Sequence, residues 1–170
     1  MFVSLNNNGY LPPGWHTYDL TKLQEDFVEP FNESTTRITI FSGFTECIKL
    51  LKCKGLQRFE VWIDGSFTTN KINPGDIDFC VYLKLSDLNA LSLEHQQQLN
   101  LLATPNGIKM IKETFKCHMF FVINADDITD PSKRTAYLTN KKYWINLFTH
   151  DRFGVEKGIV RMTFGGENND

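Results

Sequence analysis

Four stretches of the chain show the short-range hydrophobic pattern of β-strands. In residues 58–63, Val61 and Ile63 fall on one face and Trp62 on the other, as expected of a half-buried strand. Residues 117–123, CHMFFVI, are apolar enough to be buried on both faces. The four predicted strands cover residues 58–63, 77–83, 117–123 and 159–164.

Elsewhere apolar residues recur at steps of three and four, which predicts amphipathic helices. The most regular helix is expected to end near residue 54, with Gly55 as its C-cap. A short helix within 17–31 has Thr21 as its expected N-cap. Ser86 and Asp87 are expected to cap a third helix, at 88–102. The remaining helices are predicted at 108–115 and 141–148, with a loop or short helix near 130–137.

The two ends of the chain lack both patterns. Residues 1–15 contain NNNG and LPPG, which predicts an extended N-terminal arm. Residues 165–170 form a polar tail that is expected to fray. A chain of 170 residues is long enough for one domain with a sizeable core, and we expect residues 1–170 to form that single domain.

Composition narrows the class of protein. The net charge is −2, so no basic tail or stripe indicates tight nonspecific binding of nucleic acid, although a local cleft can still be positive. No apolar run approaches the length of a membrane span. The four cysteines lack zinc-site spacing and are expected to stay reduced, which favours a cytoplasmic protein with no membrane partner.

The polar loop between the first two strands carries the candidate chemistry. Alternation places Asp76 and Asp78 on one face, and adjacent carboxylates repel each other unless a cation joins them. Mg2+, or Mn2+, suits such a pair together with substrate phosphates. Gly65 and Ser66 can let backbone N–H groups approach a phosphate closely. The same residues also fit an ordinary turn, since NPGD is a common turn sequence.

Three cations are candidate ligands for a triphosphate. Lys71 lies in the loop between Ser66 and Asp76 and is either a phosphate contact or an exposed loop lysine. Arg152 and Lys157 precede the last strand and form either an anion clamp or an ordinary charged turn. Asp64 is expected to stabilise the turn before Gly65 through an Asx-type bond.

The order and spacing of these residues resemble a known superfamily. A strand ends in apolar-Asp-Gly-Ser, nine residues follow, and Asp-Ile-Asp enters the next strand. This pattern resembles that of the polymerase-β-like nucleotidyltransferases. The wider chain is similar to a small bacterial family of nucleotidyltransferase-like proteins, through residues 11–14, Tyr143-Trp144 and residues 152–159. The resemblance implies an α/β (α+β) fold of minimal nucleotidyltransferase type, with a short mixed sheet flanked by helices.

The resemblance also implies a third carboxylate on the strand beside Asp78. That position falls at His118, where this chain departs from the pattern. His118 can bind a metal, act as a general base, contact phosphate, or serve only as a hydrogen-bonded strand residue. Asp126 and Asp127, beyond the strand, are an alternative source of the carboxylate.

The resemblance therefore implies transfer of a nucleoside monophosphate from an NTP to an RNA or protein hydroxyl. Related minimal proteins include toxins and phage-defence components, so the resemblance also suggests such a role here, with an antitoxin or another defence component as partner. Asp76 and Asp78 would hold the metal, and the attacking hydroxyl would displace pyrophosphate. The alternative is a catalytically degenerate domain that binds a nucleotide, an RNA or a protein. A third interpretation is an antitoxin or assembly subunit that uses the fold only as a scaffold.

Overall fold

The computed structural model describes residues 4–124 and 126–165, and in this part of the chain five strands form one mixed sheet. The spatial order is β1-β5-β2-β3-β4. Two neighbouring pairs, β1 with β5 and β3 with β4, are parallel, and β2 is antiparallel to both β5 and β3. The strands are β1 Gly14–Thr17, β2 Phe59–Asp64, β3 Ile77–Lys84, β4 Cys117–Asn124 and β5 Gly158–Phe164. A mixed five-stranded sheet combined with helices confirms the predicted α/β (α+β) class.

Six α-helices lie within the described residues, and none of these helices combines the length and apolarity needed to cross a membrane. Their bounds are α1 Leu20–Phe27, α2 Arg37–Cys53, α3 Leu85–Asn89, α4 Leu93–Leu102, α5 Pro105–Phe115 and α6 Pro131–Thr149.

The predicted helix at 88–102 is wrong in its bounds, because it is divided into α3 and α4. The Ser92 side chain accepts a hydrogen bond from the backbone N–H of His95 and so begins a new helix. The region near 130–137 is also more regular than predicted. Asp130 caps it, Pro131 occupies its first turn, and α6 continues without a break to Thr149.

The predicted N-terminal arm contains a strand that the sequence pattern does not show. Residues Gly14–Thr17 pair in parallel with β5, and the Trp15 ring packs against Trp62 with ring centroids 5.2 Å apart. A four-residue edge strand has too few positions to display alternation, and its partner lies far away in sequence. The expected cap at Thr21 is also wrong, since Asp19 caps α1 by accepting from the Lys22 N–H at 2.7 Å. Residues 1–3 of the predicted arm and 166–170 of the predicted tail lie outside the described residues.

The sheet has a hydrophobic cluster on each face. The larger cluster lies under α1, α2 and α5 and contains Phe44, Phe79 and Cys47, which are completely buried. The smaller cluster lies under α6 and contains Trp62, Cys80, Val122, Phe148 and Ile159. Cys47 and Cys80 are therefore core residues, one on each face of the sheet.

The most deeply buried charge is Arg37, at the start of α2, with 0% of its surface exposed. Its guanidinium stacks on the Phe31 ring at 3.7 Å from the ring centroid. Burial lowers the pKa of Arg37 to about 10, so the group stays charged at neutral pH. Its two terminal nitrogens donate to the carbonyl oxygens of Phe27 (2.6 Å), Phe67 (2.7 Å), Thr69 (2.8 Å) and Lys71 (2.5 Å). One side chain therefore joins the end of α1 to the loop between β2 and β3.

Replacement of this side chain should destabilise the whole domain. Arg37→Met leaves three buried carbonyl groups and one partly buried carbonyl group without their donor, and we expect the free energy of unfolding to fall by about 3–5 kcal/mol. Urea denaturation followed by circular dichroism measures the change. Arg134→Met, at an exposed position of α6, is the matched control and should change the stability by less than about 0.5 kcal/mol. Equal stability of the two variants would contradict the role assigned to Arg37.

Candidate functional site

The parallel pairing of β3 with β4 brings the predicted site residues together. Asp78 and His118 are direct partners in the register, and the His118 Nδ1 atom lies 3.1 Å from the Asp78 Oδ1 atom. Asp76 stands two residues before Asp78. Asp76, Asp78 and His118 each offer one ligand atom, and these atoms lie within 4.8 Å of one another. The three side chains are half-buried and form what we call the acidic cluster.

Core packing and backbone pairing fix the direction of the two carboxylates. Ile77 is completely buried on the opposite face, so Asp76 and Asp78 both point away from the large core. The Ile77 N–H donates to the Lys116 carbonyl at 3.0 Å and joins the start of β3 to the end of α5. The acidic cluster therefore stands at the beginning of two parallel strands.

His118 is held from the side by aromatic packing. Its ring lies 4.5 Å from the Phe120 ring, and the Phe120 ring lies 4.2 Å from that of Trp144 on α6, measured between centroids. Trp144 and Phe148 pack in the smaller core. Tyr143 and Leu147 do not, because that face of α6 is exposed.

Gly65 lies directly against the acidic cluster. Its φ of 82° is in the left-handed region, which a residue with a side chain rarely adopts. A Cβ atom at this position would lie 2.0 Å from the Asp78 Oδ2 atom. Ser66 follows and begins a short 3-10 turn, Ser66–Thr68. The backbone of the Gly65-Ser66 turn thus approaches the Asp78 carboxylate as closely as only glycine allows.

The electrostatics of the cluster favour an additional cation. Burial raises the pKa of the Asp78 carboxyl, the Asp76 carboxylate raises it further, and His118 and Lys112 oppose this shift. Two carboxylate oxygens and one imidazole nitrogen form a donor set that suits a small divalent cation. The oxygens suit Mg2+ or Mn2+, and the imidazole extends the choice among transition metals.

Lys112 also belongs to the site, although the sequence analysis did not predict it. Its Nζ atom lies 2.6 Å from the Asp76 Oδ2 atom, and this hydrogen bond raises the pKa of the lysine. The available signal was the spacing of Lys109, Lys112 and Lys116, which places them along one side of the predicted helix at 108–115.

Lys157 and Asp64 form a buried ion pair beside the acidic cluster. The Lys157 Nζ atom lies 2.6 Å from the Asp64 Oδ2 atom, and the two side chains are only 10% and 6% exposed. Asp64 is the register partner of Asp78 on β2, so Asp64, Asp78 and His118 form one row across three strands. The charge of Lys157, a predicted anion ligand, is therefore balanced inside the protein. Asp64 binds this lysine and does not make the expected Asx-type turn.

The other predicted residues lie outside the cluster. Lys71 and Arg152 have exposed side chains, and neither belongs to the group of three metal-ligand candidates. The suggestion that Asp126 or Asp127 replaces the missing carboxylate is wrong. They follow the far end of β4, about 20 Å along the strand from His118. Asp127 instead accepts a hydrogen bond from the Ser86 N–H at 3.1 Å.

Comparison with known proteins places the chain in one family. The chain belongs to the Family of unknown function (DUF6932), whose sequence model matches residues 3–163. Neither the search of curated proteins nor the search of solved structures found a match.

The contact between Gly65 and Asp78 can be tested with two glycines of similar positive φ. Gly65→Ala introduces both positive-φ strain and a clash with Asp78, whereas Gly154→Ala, at a φ of 79°, meets open space. We expect Gly154→Ala to lower the free energy of unfolding by about 1 kcal/mol and Gly65→Ala by about 2–4 kcal/mol. Chemical denaturation measures both. Equal losses would show that the approach to Asp78 has no energetic consequence.

The buried ion pair predicts a specific pH dependence. Burial raises the pKa of Asp64 to about 6, although Lys157 opposes the shift. Lys157→Met removes that opposition, so the folded variant holds the Asp64 proton to a higher pH than the folded wild type does. Stability of the variant relative to wild type should therefore fall as pH rises above about 6, by at most about 1.4 kcal/mol per pH unit.

The double variant Asp64→Asn/Lys157→Met is the control for this titration. It has no carboxyl group at position 64, so its stability relative to wild type should lack the steep decline of the single variant. Urea denaturation at a series of pH values measures both proteins. A Lys157→Met loss that does not vary with pH would contradict the assignment to Asp64.

Proposed function

We propose that the protein is a metal-dependent nucleotidyltransferase that moves a nucleoside monophosphate from an NTP to an RNA or protein hydroxyl in the cytoplasm. The observation that carries the proposal is the acidic cluster itself. Asp76, Asp78 and His118 converge within 4.8 Å, and the Gly65-Ser66 turn lies directly against them. The likeness of this motif to the polymerase-β-like superfamily supports the same activity.

In this proposal the residues have separate tasks. Asp76, Asp78 and His118 hold Mg2+ or Mn2+, which would neutralise the triphosphate and lower the pKa of the attacking hydroxyl. The backbone of Gly65 and Ser66 holds phosphate oxygens. The acceptor oxygen forms a bond to the α-phosphorus, the bond from that phosphorus to the bridging oxygen breaks, pyrophosphate leaves, and the hydroxyl proton passes to water.

The three positively charged residues predicted to bind phosphate have different roles in this proposal. Lys71 and Arg152 are proposed to contact the triphosphate, and neither of these exposed residues takes part in the two ion pairs described above. Lys157 acts indirectly, because it holds Asp64 in the row that contains Asp78 and His118. The resemblance to toxins and phage-defence proteins also suggests an antitoxin or a defence component as a partner.

One observation favours a second candidate function. His118 occupies the place at which the resemblance implies a carboxylate, and it makes its hydrogen bond to Asp78. A catalytically degenerate domain that binds nucleotide, RNA or protein would tolerate this residue. Such a module would bind NTP without any need for a divalent metal.

Label transfer tests the enzymatic proposal. The protein is incubated with Mg2+ or Mn2+ and each α-labelled NTP, together with total RNA and a protein lysate. Asp76→Asn and Asp78→Asn should each reduce labelling at least about 100-fold, because each removes a charged metal ligand. Asp87→Asn, at an exposed carboxylate of α3, is the matched control and should keep full activity. Thermal stabilisation by Mn2+ should disappear in the same two variants and persist in the control.

The outcomes separate the two candidates. Full labelling by Asp76→Asn or Asp78→Asn would refute the assignment. No labelling by the folded wild-type protein, with NTP binding that does not require metal, would favour the degenerate module. In that case His118→Asp, which restores a carboxylate, is the variant expected to gain metal binding.

A further inference from the structure

A lysine-rich pocket opens beside the acidic cluster, at the junction of α5 with the loop before β3. Its volume is about 330 Å3, enough for a phosphate with an attached sugar. The residues that line it are Gly75, Asp76, Lys109, Lys112, Glu113 and Lys116. The pocket therefore shares Asp76 with the acidic cluster and is otherwise separate from the Gly65-Ser66 turn.

The charges around this lysine pocket favour an anion. Three ammonium groups face two carboxylates, so the lining is net positive on a protein whose net charge is −2. Lys109 is bound only loosely to Glu113, at 3.8 Å, and both side chains are well exposed. Lys112 is paired with Asp76, and a cation that binds the Asp76 carboxylate in its place would release the Lys112 ammonium into the pocket.

The backbone of Lys116 indicates that its side chain is needed here. It is the C-cap of α5 and the only non-glycine residue with positive φ, 57°, among residues 4–124 and 126–165. This conformation costs about 1 kcal/mol for a residue with a Cβ, and glycine adopts it freely. Its structural contacts are backbone bonds, from Ile77 N–H to its carbonyl and from its N–H to Lys112, and glycine would make both.

The spacing of the three lysines matches a polyanion better than a single ion. From Lys109 to Lys116 the helix rises about 10 Å, a length over which a nucleic acid strand presents two or more phosphates. The helix dipole accounts for a lysine in the last turn, but not for Lys109 or for a strained lysine at the C-cap. Ammonium groups on flexible stems suit successive phosphates of a mobile strand.

We propose that the lysine pocket binds the phosphodiester backbone of a single-stranded RNA and thereby places a hydroxyl of that RNA beside Asp76 and Asp78. The acceptor is then RNA and not protein. The acceptor role rests on the proposed nucleotidyltransferase function. The binding of RNA at this pocket does not, because it requires neither NTP nor metal.

Fluorescence anisotropy with a short labelled single-stranded RNA, without NTP or divalent metal, tests the pocket. Lys116→Gly and Lys109→Ala should each weaken binding several-fold at low salt and reduce the slope of log K against log salt by about 0.7. Lys49→Ala is the matched control for Lys109→Ala. Lys49 is paired with Glu46 on α2 and is 68% exposed, against 73% for Lys109. It should leave both quantities unchanged.

Lys116→Gly also guards against a trivial loss of fold. Glycine relieves the positive-φ strain, so this variant should be at least as stable as wild type in thermal denaturation while it loses RNA affinity. RNA binding that is unchanged in both lysine variants would overturn the proposal.

Competitors distinguish RNA from other anions. An unlabelled single-stranded RNA should displace the probe, whereas inorganic tripolyphosphate and poly-glutamate of equal charge should do so much less well. If tripolyphosphate displaced the probe as effectively as RNA does, the pocket would be assigned to the NTP. If poly-glutamate did so, the pocket would be assigned to an acidic protein. Either result would overturn the proposal.

The two proposals fail in different ways. RNA binding that depends on Lys109 and Lys116, without label transfer, would leave the pocket assignment intact and refute the enzyme. Label transfer to protein that depends on Asp76, with no effect of the lysine variants on RNA binding, would support the enzyme and refute the pocket assignment.

Discussion

The site depends on the hydrogen bonds that the buried guanidinium of Arg37 donates. The loop from Gly65 to Asp76 has no regular hydrogen-bonded ladder of its own over most of its length. Arg37 supplies donors to three of its carbonyls and to the last carbonyl of α1. A buried charge is costly unless hydrogen-bond acceptors surround it, and this loop provides three of the four carbonyl acceptors of the Arg37 guanidinium. The loop is thereby held against α2, and its two ends meet at the acidic cluster.

Charge balance across the sheet is the second constraint. Carboxylates occupy neighbouring positions on β2 and β3, and a histidine continues the row on β4. Lys157 neutralises Asp64 in the interior, whereas Lys112 contacts Asp76 near the surface, where it is 48% exposed. The first pair is structural because no water reaches it easily. In the Lys112–Asp76 pair, a cation from solution can replace the lysine ammonium. The carboxylates of Asp76 and Asp78 are therefore the ones available to bind such a cation.

The proposed function and the lysine pocket are linked by the replacement of Lys112 at Asp76 by a cation. The acidic cluster and the lysine pocket share Asp76, so occupation of one changes the charge of the other. The proposed metal site and the proposed RNA-binding pocket meet at a single carboxylate, an arrangement that would suit the proposed reaction between a nucleotide and a polyanionic acceptor. His118 is the residue that makes this chain unusual within the resemblance, and its ring is fixed by Asp78, Phe120 and Trp144.

The sequence by itself determined the four longer strands and the α+β class, because alternation and helical periodicity are local properties of the chain. The position of His118 beside Asp78 followed from the resemblance, and Gly65 was expected to approach a phosphate, whereas in the structure it lies against Asp78. The tertiary structure alone decided the pairing of β1 with β5, the Asp64–Lys157 ion pair, the contact of Lys112 with Asp76 and the role of Arg37. Each of these joins segments far apart in sequence, and their partners are chosen by burial and charge compensation, which no local pattern records.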